Sequence, residues 1–490
     1  MMLCCYFVAE AQFVEDALRL GAPGLSVGAR SLGMGTAYTG VADDFSAAYW
    51  NPAGLGQIRL NEVSFGLSNL SFGNTSKFQG SDQSTTNSST NLNSAGLVYV
   101  VPTTRGSLVM ALGYGRQSDF TTGLSFSGFN PNSSIIQSWA PDGVSYASYD
   151  LSQNNAYQLF LANKDTLSGA FESLVDDSLT QSGKVLEGGG INYYTAAGAI
   201  EAAQNVYLGA TLNFISGSYT YSRSYSETDS RDIYDAARTA QFSPFPFDLN
   251  SLSVTENLET DISGFNAKLG FLYTPTPNSR VGITVKTPSW ITARETFSSK
   301  ASAEFDDGNL IEFPSEDVAP SKNEYDVRTP FSFSGGFSYS ANAVTVAADL
   351  EYTDWTQLEF SSSGTFSTAF NDHLLKLNSQ IKDVFQPSVN VRAGLEVTVP
   401  NIEMSLRGGF AYLQSPYQFD QAANAQKYIT AGIGFLIDNS IAVDVGYARG
   451  YWETSHVNYT GSDSNGNSFS QGTAEKIRTN NLIATFAYRF

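Results

Sequence analysis

The chain has 490 residues, a formal net charge of -20 at pH 7 and only 15% charged residues, beside 42% hydrophobic and 13% aromatic ones. The acidic balance argues against a nucleic-acid binder, which needs a basic face, and no window approaches the roughly 20 continuous apolar residues of a membrane helix. Both cysteines, Cys4 and Cys5, lie at the extreme N-terminus, so the body of the chain has neither disulfides nor cysteine metal sites.

Residues 1–11 read as the tail of a secretory signal. Ala9-Glu10-Ala11 offers a small-residue cleavage site before Gln12, while the basic leader is missing and the apolar core is short, so the true start is expected upstream. Residues 12–58 are expected to form a separate plug. Its central stretch, Gly28 to Gly54, holds five glycines, an acidic pair at Asp43 and Asp44, and the turn Asn51-Pro52-Ala53, with no alternation of apolar and polar residues. Asp44 is expected to cap a short helix beginning at Phe45, and Pro52 to end it near Trp50. Gly28, Gly33 and Gly35 follow no strand, and their spacing fits neither nucleotide-binding fingerprint.

From residue 59 to 490 one pattern repeats. Val206, Leu208, Ala210, Leu212 and Phe214 alternate with Tyr207, Gly209, Thr211 and Asn213, and Val389, Val391, Ala393 and Leu395 alternate with Asn390, Arg392, Gly394 and Glu396. These are strands with one apolar face. Strands are expected near 61–73, 93–101, 105–118, 190–202, 205–225, 256–275, 279–299, 323–340, 343–362, 386–399, 402–416, 427–437, 440–455 and 476–490, which is fourteen. Their length, about 10 to 20 residues, exceeds that of globular strands and suffices to cross a bilayer.

Connections alternate between short ones, such as 102–104, 203–204, 276–278, 341–342, 400–401 and 438–439, and long ones. That rhythm describes an outer-membrane β-barrel with both termini on the short-turn, periplasmic side. Aromatics at strand ends, including Tyr412, Tyr447, Tyr451, Trp452, Tyr488 and Phe490, fit interfacial girdles. The fold class is therefore all-β: a fourteen-stranded transmembrane antiparallel barrel, with an N-terminal plug in its lumen and long extracellular loops containing short helices.

Two loops carry apolar residues at helical spacing. Leu159, Phe160, Leu167, Phe171, Leu174 and Val175 predict one amphipathic helix within 155–179, and Phe366, Phe370, Leu374, Leu377, Ile381 and Phe385 predict another. Each either caps the barrel rim or offers an apolar groove to a greasy substrate. His373 and His456 both fall in loops beside no nucleophile motif, so no enzyme activity is expected. Arg392, Glu396, Glu403, Arg407, Asp349, Glu351, Asp444 and Arg489 should face the lumen, where they either pair with each other or with the plug, or meet substrate directly. No cofactor, metal site or nucleic-acid partner is implied. Loop carboxylates such as Asp176, Asp177, Asp306 and Asp307 are weak candidates for divalent ions that bridge lipopolysaccharide.

The segment containing Gly33 to Gly35, Ala42-Asp43-Asp44 and Asn51-Pro52-Ala53 resembles the N-terminal hatch of the FadL/TodX family of outer-membrane transporters for hydrophobic compounds. The resemblance implies a fourteen-stranded barrel, passive import of fatty acids or hydrocarbons, and a hatch in the lumen. It implies capture at outer-loop helices, transfer to an apolar lumen pocket, and sideways release through a kink in the third strand. Gly113 and Gly115 are the candidate kink residues, because glycine inside a strand often marks a bend; the alternative is close packing of hatch on wall. A terminal Phe490 after alternating apolar residues resembles the signal read by the barrel-insertion machinery. A branch of the same superfamily serves protein secretion, which leaves a protein-binding or shuttle barrel as the alternative function.

Overall fold

The computed structural model describes residues 14–140, 151–164, 171–240, 247–315, 319–362, 368–399, 402–438, 440–462 and 467–490. The expected signal tail, Leu167 and Phe366 lie outside them, as do Pro400, Asn401 and Asn439 of two short connections. The plug comprises α1 (Val14–Gly21), α2 (Ala29–Gly33), α3 (Ala47–Trp50) and a 3-10 turn, Pro52–Gln57. Among the described residues three helices belong to loops: α4 (Asn155–Gln158), α5 (Ala236–Thr239) and α6 (Thr368–Val384).

The strands are β1 (Glu62–Phe78), β2 (Ser81–Val101), β3 (Leu108–Asp119), β4 (Thr122–Asn130), β5 (Ala162–Lys164), β6 (Phe171–Ser173) and β7 (Leu179–Ala203). They continue as β8 (Val206–Thr228), β9 (Leu249–Thr276), β10 (Ser279–Lys286), β11 (Trp290–Phe305), β12 (Leu310–Phe313), β13 (Ser321–Arg328) and β14 (Ser332–Ala341). The last are β15 (Val344–Asp354), β16 (Glu359–Ser361), β17 (Pro387–Val399), β18 (Met404–Leu413), β19 (Gln426–Ile437), β20 (Ile441–Ser462) and β21 (Ser468–Arg489). All but the β5–β6 hairpin form one antiparallel sheet, and β1 pairs with both β2 and β21, which closes it into a barrel. Four walls are each split into two strands, and β12 only hooks back on β11, so the barrel has fourteen staves. Pro288 and Pro330 stand at two of the interruptions, where proline has no N–H for the ladder.

Alternation decides which face meets lipid. Leu208, Leu212 and Phe214 are exposed on β8 while Tyr207, Thr211 and Asn213 between them are buried in the lumen. A lipid-facing apolar row and a polar interior are what a membrane barrel requires. The aromatic girdle holds for Tyr447, Tyr451, Tyr488 and Phe490, which are exposed. Trp452 instead packs inward beside Phe72 and Tyr428.

Three expectations are corrected. Residues 74–92 are not a loop: β1 and β2 run on past the hydrocarbon as a hairpin closed by Gln79-Gly80, so one outer connection is a tight turn. The helix expected within 155–179 is a single turn, α4, followed by the β5–β6 hairpin, because Phe160 takes a left-handed φ of 60° that stops the helix. Glu403 is exposed in a turn at φ 48° rather than facing the lumen. α1, where the described residues begin, and Phe490 lie at opposite ends of the barrel. Phe490 exchanges backbone hydrogen bonds with Asn61 at the short-turn end, whereas α1 packs against α6 near the outer mouth. The plug therefore runs the length of the lumen.

Candidate functional site

The plug is fastened turn by turn. Asn51 accepts from the Ala53 N–H at 3.1 Å through Oδ1, while its Nδ2 donates to the carbonyls of Thr39 at 2.9 Å and of Phe271 on β9 at 3.1 Å. It thus closes the Asn-Pro-Ala turn and ties it to the wall. Asp43 receives Arg30 of α2 and, at 3.2 Å, Arg280 of β10. Asp44 accepts from the Ser46 N–H at 2.9 Å and from the Tyr38 hydroxyl at 2.7 Å. The helix it precedes begins at Ala47, two residues later than expected, and ends at Trp50 as expected.

Wall glycines allow this close approach. A methyl group on Gly209 would lie 2.3 Å from the Pro52 carbonyl carbon, on Gly282 2.2 Å from the Thr39 oxygen, on Gly394 2.3 Å from the Met34 oxygen, and on Gly446 2.3 Å from the Ala29 oxygen. Gly33 meets Gly432, and Gly35, at φ 63°, has room for no side chain beside Ala393 and Phe410. Inward-facing glycines on β8, β10, β17, β18, β19 and β20 thus form a belt against which the plug backbone lies directly. Single inward glycines are visible in the sequence, but their common level in the barrel is not.

The third stave is broken, although not at the glycines singled out. Gly113 and Gly115 pair regularly with Gly96 and Ser94 of β2. A methyl on Gly113 would strike the Phe45 ring at 2.3 Å, so its absence admits the plug. Gly115 is the last residue of β3 that β2 pairs with; the register then slips between Arg116 and Ser118, and the stave breaks at Phe120-Thr121. Above that level β4 pairs only with β7 and β2 only with β1, leaving a seam in the wall. Side chains close it. Asp119 Oδ2 accepts from Ser89 at 2.9 Å and Asn91 at 2.8 Å, and Asn87 donates to the Thr122 carbonyl at 2.9 Å. The plug reaches this point too, with the Gly24 N–H on the Gln117 carbonyl at 2.8 Å.

The expected α6 stripe is present, with Phe370, Leu374, Leu377, Ile381 and Phe385 all buried. It faces into the barrel mouth, where Val14, Ala17 and Leu18 of α1 join the same cluster. Phe171 packs on a second apolar cluster under the other loops, while Phe160 is 62% exposed. Those two residues do not share a groove with α6.

Below α1 lies a cavity that sequence reasoning missed. The resemblance implied an apolar pocket; this one is lined by Gly21 and Gly24 above, Tyr49 and Trp50 below, and Lys268, Lys286, Glu351 and Arg392 from the wall. Lys268 and Lys286 stand directly opposite each other in the β9–β10 ladder. Arg392 is matched by Glu351 at 3.3 Å, and Lys268 donates to the Tyr49 carbonyl at 2.5 Å. Lys286 has no hydrogen bond or ion pair among the described residues. Both lysines sit at lumen-facing positions of their strands, which was the available signal; their pairing needed the register.

A closed barrel with a polar lumen, an internal plug and a lipid-facing apolar belt defines an outer-membrane channel. Residues 21–490 match the family model described as outer membrane protein transport protein (OMPP1/FadL/TodX), and the chain belongs to that family of outer-membrane transporters of hydrophobic compounds. Among solved structures it is similar to a Pseudomonas aeruginosa FadL homologue, with 14% identity, TM-score 0.56, and 96% of this chain and 100% of that chain covered. It is also similar to the Pseudomonas putida toluene transporter TodX, with 15% identity, TM-score 0.53, and coverage of 96% and 99%. At these identities the likeness supports the fold alone. Curated protein sequences gave no significant match.

Proposed function

We propose that this protein imports long amphiphiles with an anionic head, of which long-chain fatty acids are the simplest case. The observation that carries this reading is the Lys268–Lys286 pair. Like charges directly opposite on neighbouring strands destabilise a sheet, and here the pair borders a cavity at the heart of the lumen. A carboxylate between the two ammonium groups relieves the repulsion and meets the unpaired Lys286. A neutral hydrocarbon does neither. The apolar α6 stripe above the cavity suits the tail, and the seam beside Asp119, which lies just beyond the apolar belt, suits a side opening of the lumen through which cargo passes. The proposed transport is passive, since the route needs only a gradient and the plug's local rearrangement.

The test compares palmitic acid with the alcohol of equal chain length, titrated into the detergent-purified protein. The acid should bind more tightly, and Lys286→Met should weaken it about tenfold, the worth of one hydrogen bond to a charged group, with the alcohol unaffected. Equal affinity of the unaltered protein for acid and alcohol would overturn the assignment of an anionic head.

A further inference from the structure

The α6 stripe is not vacant. Its inward residues are covered by α1, whose Val14, Ala17 and Leu18 are buried in the cluster that holds Phe370, Leu374, Leu377 and Ile381. Wall residues Ile215, Tyr219, Ile291, Tyr325 and Trp355 complete the slot. The two ends of α1 differ. Its body is apolar toward α6, whereas its C-terminal residue Gly21 lines the cavity of Lys268 and Lys286. A helix carries partial negative charge at its C-terminus. With its buried Asp16 neutralised by Arg19, α1 presents in this slot the two features a fatty acid would present: an apolar flank at Val14, Ala17 and Leu18, and an electronegative end above two lysines.

The attachment of α1 is also of a kind that can be exchanged. Arg19 lies 4.2 Å over the Tyr219 ring, pairs with Asp16, and reaches Glu187 at 3.7 Å, a loose contact. At the end of the helix Gly21 packs against Thr329 and Trp355 by van der Waals contact. The firmly bonded part of the plug begins only at Gly24 and Gly28, with Gly28 N–H on Asn93 at 2.9 Å.

We propose that the slot filled by α1 is a binding site for the aliphatic chain of the cargo, and that α1 is its intramolecular occupant, displaced when cargo enters. The proposal rests on the anionic-amphiphile reading above. Cargo and helix are mutually exclusive, so the measured affinity is the intrinsic one reduced by the fraction of molecules in which the helix is docked. Weakening the helix's hold must then tighten binding, whereas weakening α6 must loosen it. An ordinary structural role for α1 predicts the first of these effects with the opposite sign.

The experiment uses the full chain in detergent with Cys4 and Cys5 replaced by Ser and a nitroxide attached at Glu15→Cys, an exposed position on α1. Saturating palmitic acid should convert the label's spectrum from immobile to mobile. In parallel, Leu18→Glu should lower the Kd for palmitic acid about fivefold, and Leu374→Ser should raise it. If the label stays immobile while palmitic acid binds and Lys286→Met still weakens that binding, the slot is not the tail site, although the anionic-head reading stands. If palmitic acid does not bind the unaltered protein at all, both fall together. The label reports directly even if Leu18→Glu fails to assemble.

Discussion

Arg30 of α2 and Glu396 of β17 are joined by two parallel hydrogen bonds, Nε to Oε2 and Nη2 to Oε1, each 2.8 Å long. Glu396 also accepts from Arg407 Nε at 2.6 Å, and Arg407 continues to Asp444 at 2.6 Å. Three staves are thereby tied to the plug through one carboxylate. Forked guanidinium–carboxylate contacts fix geometry as well as supplying energy. Removing one partner from a buried pair costs about 3–5 kcal/mol, because the other charge is left without compensation.

Glu396→Ala should therefore loosen the plug without preventing barrel assembly. The expected outcome is a higher and noisier single-channel conductance in planar bilayers, together with the usual shift in gel migration between unheated and boiled samples. Unchanged conductance would mean that the plug is held elsewhere.

The glycine belt gives a sharper contrast between two adjacent residues of β14. A methyl group on Gly336 would lie 2.3 Å from Asp349 Oδ1 and 2.7 Å from Thr39 Cβ, while one on Gly335 meets nothing within 4 Å. Gly336→Val should displace the plug and raise conductance as Glu396→Ala does. Gly335→Val faces lipid and should behave as the unaltered protein. Equal behaviour of the two variants would refute direct contact between plug and wall.

The seam predicts an effect on release. Asp119→Ala removes the acceptor shared by Ser89 and Asn91, and each hydrogen bond lost is worth about 1 kcal/mol. Transfer of a fluorescent fatty acid from protein to acceptor vesicles should accelerate by about fivefold or more, with equilibrium affinity nearly unchanged. A slower transfer would indicate that this seam is not the way out.

In the outer loops, Asp232, Asp248 and Asp306 bring carboxylate oxygens within 4.8 Å of one another. Asp248 is raised from its usual 3.8 by desolvation first, then by Asp306, Asp232 and Asp235. A folded-state pKa above the unfolded one means that the loop arrangement gains stability as pH falls through the folded pKa, fully so below 3.8. Hydrogen exchange around 229–235 and 305–309, corrected for intrinsic rates, should slow on moving from pH 7 toward 4. Asp306→Asn should reproduce part of that slowing at pH 7. Faster exchange on acidification would contradict the repulsion.

Most of the barrel was legible because lipid imposes a two-residue period on every stave it touches, as at Val389 to Leu395. The same cause explains the failure at 74–92. Above the hydrocarbon, β1 and β2 have no lipid to face, so Asn87, Ser89 and Asn91 carry no apolar alternation and read as loop. The α6 stripe was legible from its spacing, but its occupant was not, since α1 lies more than three hundred residues away in sequence. Leu159, Leu174 and Val175 mimicked a helix because apolar residues buried from a hairpin and a turn fell by chance at similar spacing. The bend in the third stave carries neither glycine nor proline between Arg116 and Thr121, so sequence pointed to the nearest glycines instead. Lys268 and Lys286 were readable as inward residues, yet their opposition depends on a register that no local pattern encodes.

The central claim is that cargo with an anionic head passes through this lumen by way of Lys286. Uptake of radiolabelled palmitic acid by Gram-negative cells lacking their own fatty acid transporter tests it most directly, with outer-membrane levels of the protein matched between strains. Cells producing the unaltered protein should accumulate label well above empty cells, and cells producing Lys286→Met should fall most of the way back. Accumulation no greater than in empty cells, or full uptake by Lys286→Met, would contradict the account.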